Sequence, residues 1–510
     1  MKKILLLLLI TCNYFFAQSQ NIGIGTLSPA GKLHVKGSAD TSQLIIDASS
    51  AQTNSHPLIR LRNAAGVDLL QIHSDDTTNV FIGIRSGHVN NLTTGITGKD
   101  NTFIGNHAGS FNTTGDANTA NGYEALSFNT TGDYNTATGT SALLNNTTGS
   151  SNSAHGELSL VLNTTGSFNT ANGRAALFFN TTANNNTASG ANALYFNTTG
   201  SNNTATGWGA LFSNDAGTDN TANGQSALYN TTGFYNTGIG AAALYSNKSG
   251  NYNTGIGVDA LYFNTTGIYN TAVGGNALYA TTAAYYNTAM GYNAGRFFDN
   301  GYNNIFLGAN TDVSGAGYYN VIAIGQGTIC TAPSQVTMGN GATDSYRAYA
   351  NWSNISDGRY KKNIQENVPG LDFINKLRPV TYNLNATGLD AFLHKNNLEA
   401  SERSDKKTVL SDDPAKAVYN NALREKESIV YTGFVAQEVE ATAKTLGFNF
   451  SGIDAPKNEN DVYGLRYSEF VVPLVKAVQE QQVEIELLKK QNEILINRLE
   501  TLEIKISKNK

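Results

Sequence analysis

The sequence predicts a mainly β protein: a repetitive β-solenoid or β-roll stalk, then a small α+β domain, then a C-terminal coiled coil. Three observations carry this. Asn-Thr-Ala or a close variant begins at residues 101, 118, 135, 152, 169, 186, 203, 220, 236, 253, 270 and 287, with a degenerate Asn-Ile-Phe-Leu-Gly at 304. Thirteen copies therefore recur every 17 residues, with one 16-residue step from 220 to 236. Near residue 350 this phase is lost, and 22 of the 34 Lys and Arg fall in residues 356–510. From Val471 onward, apolar residues alternate at spacings of three and four over five heptads.

Residues 1–19 join a Lys pair to a leucine-rich core and end on small polar residues, the layout of a secretory signal peptide cleaved after Ala17 or Ser19. A lipidated Cys12 is disfavoured by the Thr11 before it. No later stretch reaches the length of a membrane span. If Cys12 leaves with the signal, Cys330 stands alone and no intrachain disulfide can form in the mature protein. Net charge is −5, without a basic stripe, which argues against a nucleic-acid partner. The expected localisation is extracellular or on the outer cell surface. Residues 20–100 read as an N-terminal shaft.

The stalk itself spans residues 101–310. Each copy has a glycine four positions after its Asn, as in Gly105, Gly122, Gly139 and on to Gly308, and most then carry Ala-Leu followed by Tyr or Phe. So few apolar positions cannot enclose a core within one copy, whereas stacked copies can. Gly, Asn and Thr are poor helix formers, which favours β coils over helical ones. Asn-Thr-Thr-Gly supplies turn residues able to take left-handed backbone angles. Asn and Thr in register would form ladders along the stack. At about 4.8 Å per coil, thirteen copies give a rod roughly 60 Å long. The stalk surface is almost uncharged, with three basic and eight acidic residues in 101–310. The Asn-x-Thr triplets match glycosylation acceptors but come with the repeat.

The Asn-Thr-Ala-x-Gly-x-x-Ala-Leu pattern resembles the head repeats of YadA-like trimeric adhesins, which implies a left-handed β-roll in a three-fold assembly; the 17-residue period is longer than that family's usual one. Residues 21–37 resemble the shaft segments that precede such repeats in phage tail fibres and bacterial surface proteins. A surface glycan or protein ligand is the partner class implied, with neither specified.

Residues 311–355 read as a connector and 356–470 as the α+β domain. There, Gly-Leu-Asp-Phe-Ile-Asn-Lys-Leu (370–377) predicts a helix and Pro-Val-Thr-Tyr-Asn-Leu (379–384) a strand. The charged stretch to about 428 reads as a mobile insertion with helical fragments. In the final helix, residues 471–507, the seam runs Val471, Leu474, Val478, Gln481, Ile485, Leu488, Asn492, Leu495, Leu499, Leu502 and Ile506. Gln481 at a d position and Asn492 at an a position are polar residues of the kind that set register and oligomer number. Such a seam implies self-association, and a homotrimer matches the stalk.

Four ordered blocks resemble the endosialidase-type intramolecular chaperone domain of phage tail spikes and fibres. They are Ser356-Asp357-x-Arg359-x-Lys361-x-x-Ile364, Leu-Arg-Pro-Val-Thr-Tyr-Asn (377–383), Gly-Phe-Val-Ala-Gln-Glu-Val-Glu (433–440) and the closing Val-Lys-Ala-Val-Gln-Glu-Gln-Gln (475–482). The resemblance implies a domain that trimerises the preceding fibre and then cuts itself off, with Ser356 as nucleophile and Lys361 as base. A serine hydroxyl needs a base, and a lysine serves only when burial or a nearby cation lowers its pKa. Arg359 could be that cation or could stabilise an oxyanion. A five-residue spacing does not bring two side chains together on a regular helix, so the segment must fold back or the pair must meet across chains.

No HExxH, Cys-x-x-Cys or converging acidic cluster is present, so neither a metal nor a cofactor is predicted. The leading expectation is a secreted trimeric fibre whose only catalysis is on itself. A structural adhesin that trimerises but never cleaves is the alternative. A glycan-degrading spike is a third and weaker reading, because no separate catalytic domain of adequate size is present.

Overall fold

The computed structural model describes residues 22–24, 33–35, 46, 57–73, 77–90, 98–350, 352–395 and 414–508. The signal peptide with Cys12, and the insertion expected before residue 414, lie outside the described residues. Of the shaft, Ile22–Ile24 pairs in parallel with Leu33–Val35.

The repeat forms a β-solenoid. Three-residue strands from Thr102–Ile104 to Ile305–Leu307 pair in parallel, each with the strand one repeat later, so that Thr170, Ala171 and Asn172 face Thr187, Ala188 and Ser189. The ladder runs past both ends of the 101–310 repeat. Val80–Ile82 precedes it, entered through an antiparallel pair, Ile59–Arg62 with Asp68–His73, and Ile322–Ile324 and Val336–Met338 follow it. Part of the expected shaft and connector is therefore solenoid. Their strands keep the β-branched and aromatic residues that suit a pleated surface, although the Asn-Thr-Ala signature has faded.

Each turn buries the middle strand residue, and most bury an Ala-Leu pair. Ala171, Ala176 and Leu177 are fully buried and touch their equivalents above and below, giving one core along the whole rod. Phe81, Phe103 and Phe306 replace the strand alanine at the two ends.

Two asparagine ladders line this core. In the first, Asn186 Nδ2 donates to Gly200 O (2.9 Å) and its Oδ1 accepts from the Asn203 backbone (2.9 Å), a pattern that repeats from Asn101 to Asn304. In the second, each Asn of the Asn-Thr-Thr-Gly turn donates to the equivalent Asn one turn earlier, as Asn163 does to Asn146 (2.8 Å). Buried polar groups so satisfied are a source of register rather than a penalty. Thr231 and Thr281 interrupt the second ladder, and the Oδ1 atoms of Asn214 and Asn264, one turn before them, accept nothing among the described residues.

Left-handed backbone falls elsewhere than expected. No Asn or Thr of the Asn-Thr-Thr-Gly turns adopts it; the buried leucines do, from Leu126 (φ 54°) to Leu278 (φ 50°), together with the residue before each ladder Asn, such as Tyr134 (φ 57°). Burying a Leu side chain offsets the roughly 1–2 kcal/mol that such a conformation costs an ordinary residue. Glycine is required at the turn after each strand for a different reason. A Cβ on Gly190 (φ +141°) would stand 2.5 Å from Gly207 O, so adjacent coils touch backbone to backbone there.

Among the described residues beyond Val336–Met338, the chain up to residue 370 has no strand or α-helix and a single 3-10 turn, Gly358–Tyr360. The expected helix is the single turn α1 (Leu371–Ile374), and the expected strand Val380–Asn383 pairs antiparallel with Val430–Gly433. Between them lie α2 (Ala386–Leu393) and α3 (Pro414–Glu427); α4 (Ala436–Thr445) follows. Phe373, Val439, Ala443, Phe450 and Phe470 form the small core. The last element, α5 (Val471–Lys508), is a single 38-residue helix. Its first turns pack on α1, burying Pro473 and Ala477, and Glu480 accepts the Leu371 amide (2.7 Å). Neither Pro473 nor Ala477 belongs to the seam, and every seam residue from Val471 to Ile506 is exposed. No described helix is long and apolar enough to cross a membrane.

Candidate functional site

Ser356 and Lys361 meet within one chain. Gly358–Tyr360 forms one turn of 3-10 helix, opened by Asp357, whose carboxylate accepts the Arg359 amide (2.9 Å), and closed by the Lys361 amide donating to Gly358 O (3.2 Å). An Asp at an N-cap satisfies an amide that the short helix leaves free. Such a turn reverses the chain, which a regular helix would not do over five residues. Lys361 Nζ stands 2.8 Å from Ser356 Oγ as a result.

Arg359 is already engaged. Its Nε and Nη2 bind the Asp357 carboxylate in a fork, at 2.9 and 2.6 Å, and hold that carboxyl below the usual carboxylate range. Its charge is thereby paired before it can serve either role considered for it. Ile364 is exposed, as are Tyr360, Ile355 and Trp352 beside the pair.

Both Ser356 and Lys361 are exposed. The single chain therefore supplies the proximity that a Ser–Lys pair needs and not the burial. An open cleft of about 690 Å³ lies elsewhere in the domain, lined by Tyr382, Phe434, Tyr463, Tyr467 and Asp461 among others, and includes neither dyad residue. Cys330 is buried at the solenoid end, and burial pushes its thiol up to about 11, which makes it unreactive. Gln481 and Asn492 lie on the exposed part of α5.

Residues 356–448 match the family model described as chaperone of endosialidase. The match, which starts at Ser356, supports a chaperone domain of that type in the C-terminal part of the chain. No curated protein and no solved structure matches.

A group of residues escaped sequence reasoning. His394, Tyr419 and Asp390, with Asn458 and Asp461, gather where the chaperone domain meets the last solenoid turns. They come from segments far apart in the chain, and none belongs to a repeat or motif that could have marked it.

Proposed function

We propose that this protein is an exported homotrimeric fibre whose chaperone domain assembles the stalk through α5 and then cuts the chain beside Ser356. The observation that carries this is the 2.8 Å contact between Lys361 Nζ and Ser356 Oγ at the first residues of the chaperone domain. In that reaction Lys361 takes the hydroxyl proton as Oγ attacks the scissile carbonyl. The departing amine receives a proton, and water releases the resulting ester.

Assembly supplies the missing burial. Trimerisation along the exposed seam of α5 brings three copies of the exposed Trp352, Ile355 and Tyr360 together around the dyad, and desolvation there frees the lysine to act as a base. Unassembled chains keep their chaperone under this scheme. The stalk, with its polar and nearly uncharged surface, then presents the binding face for a glycan or protein ligand.

Expressing the full chain and its Ser356→Ala variant tests the catalytic part. The natural chain should yield a C-terminal fragment of about 155 residues, from 356 to 510, which the variant lacks. A single full-length band from both rules out self-cleavage. The exposure of the dyad in the single chain favours a second reading, a trimeric structural adhesin that is never cut, and mass determination on the assembled protein separates the two.

A further inference from the structure

The solenoid has no closing element of its own at its C-terminal end. Its first asparagine ladder stops at Asn304, whose Oδ1 accepts the amide of Val321, where the next asparagine would stand. The turns beyond contain Tyr318 and Thr331, both buried and both polar. Within the solenoid Tyr318 Oη donates to Thr331 O (2.7 Å) and the Thr331 amide to Gln335 Oε1 (2.6 Å), and further partners come from the chaperone domain. Asn458 Nδ2 donates to Thr331 O (2.8 Å) and Tyr318 Oη (3.1 Å), and Thr331 Oγ1 donates to the Asp461 carboxylate.

Asn458 and Asp461 are held ready for this by their own loop. Asn458 Oδ1 accepts the Asn460 amide (2.8 Å), and Asp461 Oδ2 accepts the Lys457 amide (3.0 Å). A second anchor lies at the C-cap of α2, where His394 Nε2 is 3.1 Å from Gly327 O and Nδ1 is 2.8 Å from Asp390 O. Both partners are carbonyl oxygens that only accept, so His394 donates from both nitrogens, as an imidazolium does. Lys426 Nζ adds a bond to Thr343 O (2.6 Å).

We propose that the end of the solenoid is a docking surface for the chain's own chaperone domain, and that the domain remains seated there after the backbone between them is cut. Asn458 continues, from the other domain, the polar satisfaction that the asparagine ladder provides along the stalk. The domain thereby seats on the last solenoid turns, at Tyr318, Gly327 and Thr331. The coiled coil lies wholly within the C-terminal piece, so it cannot itself tie that piece to the stalk. Docking does not depend on cleavage by Ser356; only its consequence, that the cut does not by itself release the chaperone, rests on the proposed reaction.

The test uses the full chain with Ser356→Ala, which removes self-cleavage, and a recognition site for a sequence-specific protease inserted between the exposed residues Ser353 and Asn354. After complete cutting, the two pieces should elute together in size-exclusion chromatography at micromolar concentration; separate elution overturns the proposal. Adding Asn458→Ala with His394→Gln should weaken retention by about tenfold or more. Retention equal to the parent would show that these contacts are not the anchor, which also overturns it. Hydrogen exchange on the uncut variant, raised across residues 318–332 and unchanged in the stalk before them, shows that docking and not folding was lost.

Discussion

Replacing Asn186 by Ala removes one rung of the buried asparagine ladder, and the cost can be worked bond by bond. The Asn203 amide has no acceptor other than Asn186 Oδ1 (2.9 Å) and would be left buried and unpaired, at about 1–3 kcal/mol. Two further bonds vanish, Asn186 Nδ2 to Gly200 O and Asn203 Nδ2 to Asn186 Oδ1, but their partners keep a second contact. Gly200 O still accepts from Asn197, and Asn203 still donates to Gly217 O. Each of those losses is worth about 0.5–1.5 kcal/mol. The total is about 2–6 kcal/mol, concentrated in the coils on either side because a solenoid couples nearest neighbours. Hydrogen exchange on the peptide spanning Asn197 to Ala210 reads it directly: a 4 kcal/mol loss raises exchange there about a thousandfold. The control is Thr187→Ala, one residue away on the exposed face of the strand, which should change local stability by less than about 1 kcal/mol. Equal exchange in the Asn186→Ala protein and the parent would refute the view that the ladder holds the coils.

Gly190→Ala should be worse than an ordinary core change, by more than about 3 kcal/mol, because the new Cβ meets the Gly207 backbone at 2.5 Å and φ is +141°; thermal unfolding checks it. Asp312, fully buried at the solenoid end near Arg296 and His394, is pushed by burial from 3.8 up to about 7, while amides of Phe297 and Val313 act in the opposite sense. Between those values the folded state keeps a proton that the unfolded state has released, so the stabilisation is full below 3.8 and is lost as pH rises through 7. The loss is at most about 4 kcal/mol, and Asp312→Asn should flatten this slope in denaturant titrations at pH 5 and 8. Burial disfavours the charged form of His394, but its bonds to Asp390 prevail and raise it above 6.5. Docking of the cut pieces should therefore be firm below pH 6.5 and weaken as pH climbs through that raised value, as read by co-elution across a pH series. Leu488→Asp, on the exposed seam of α5, should convert the proposed trimer to monomer in sedimentation and abolish any self-cleavage with it.

The 17-residue phase was enough to determine the solenoid, because a repeat with one Leu and one or two aromatics per copy has no way to bury them except by stacking. The 3-4 spacing of α5 and the switch in composition near residue 350 were equally plain, being local and periodic. Where the left-handed backbone sits was decided by packing: the coil forces it onto Leu177 and its equivalents, whose side chains need the core, and spares the Asn-Thr-Thr-Gly turns that propensity favoured. The Ser356–Lys361 contact depended on a single 3-10 turn too short to leave a periodic trace. Tertiary structure alone brought Asn458 to Thr331, 127 residues apart in the chain, since a hydrogen bond between two unrepeated segments leaves no mark on either.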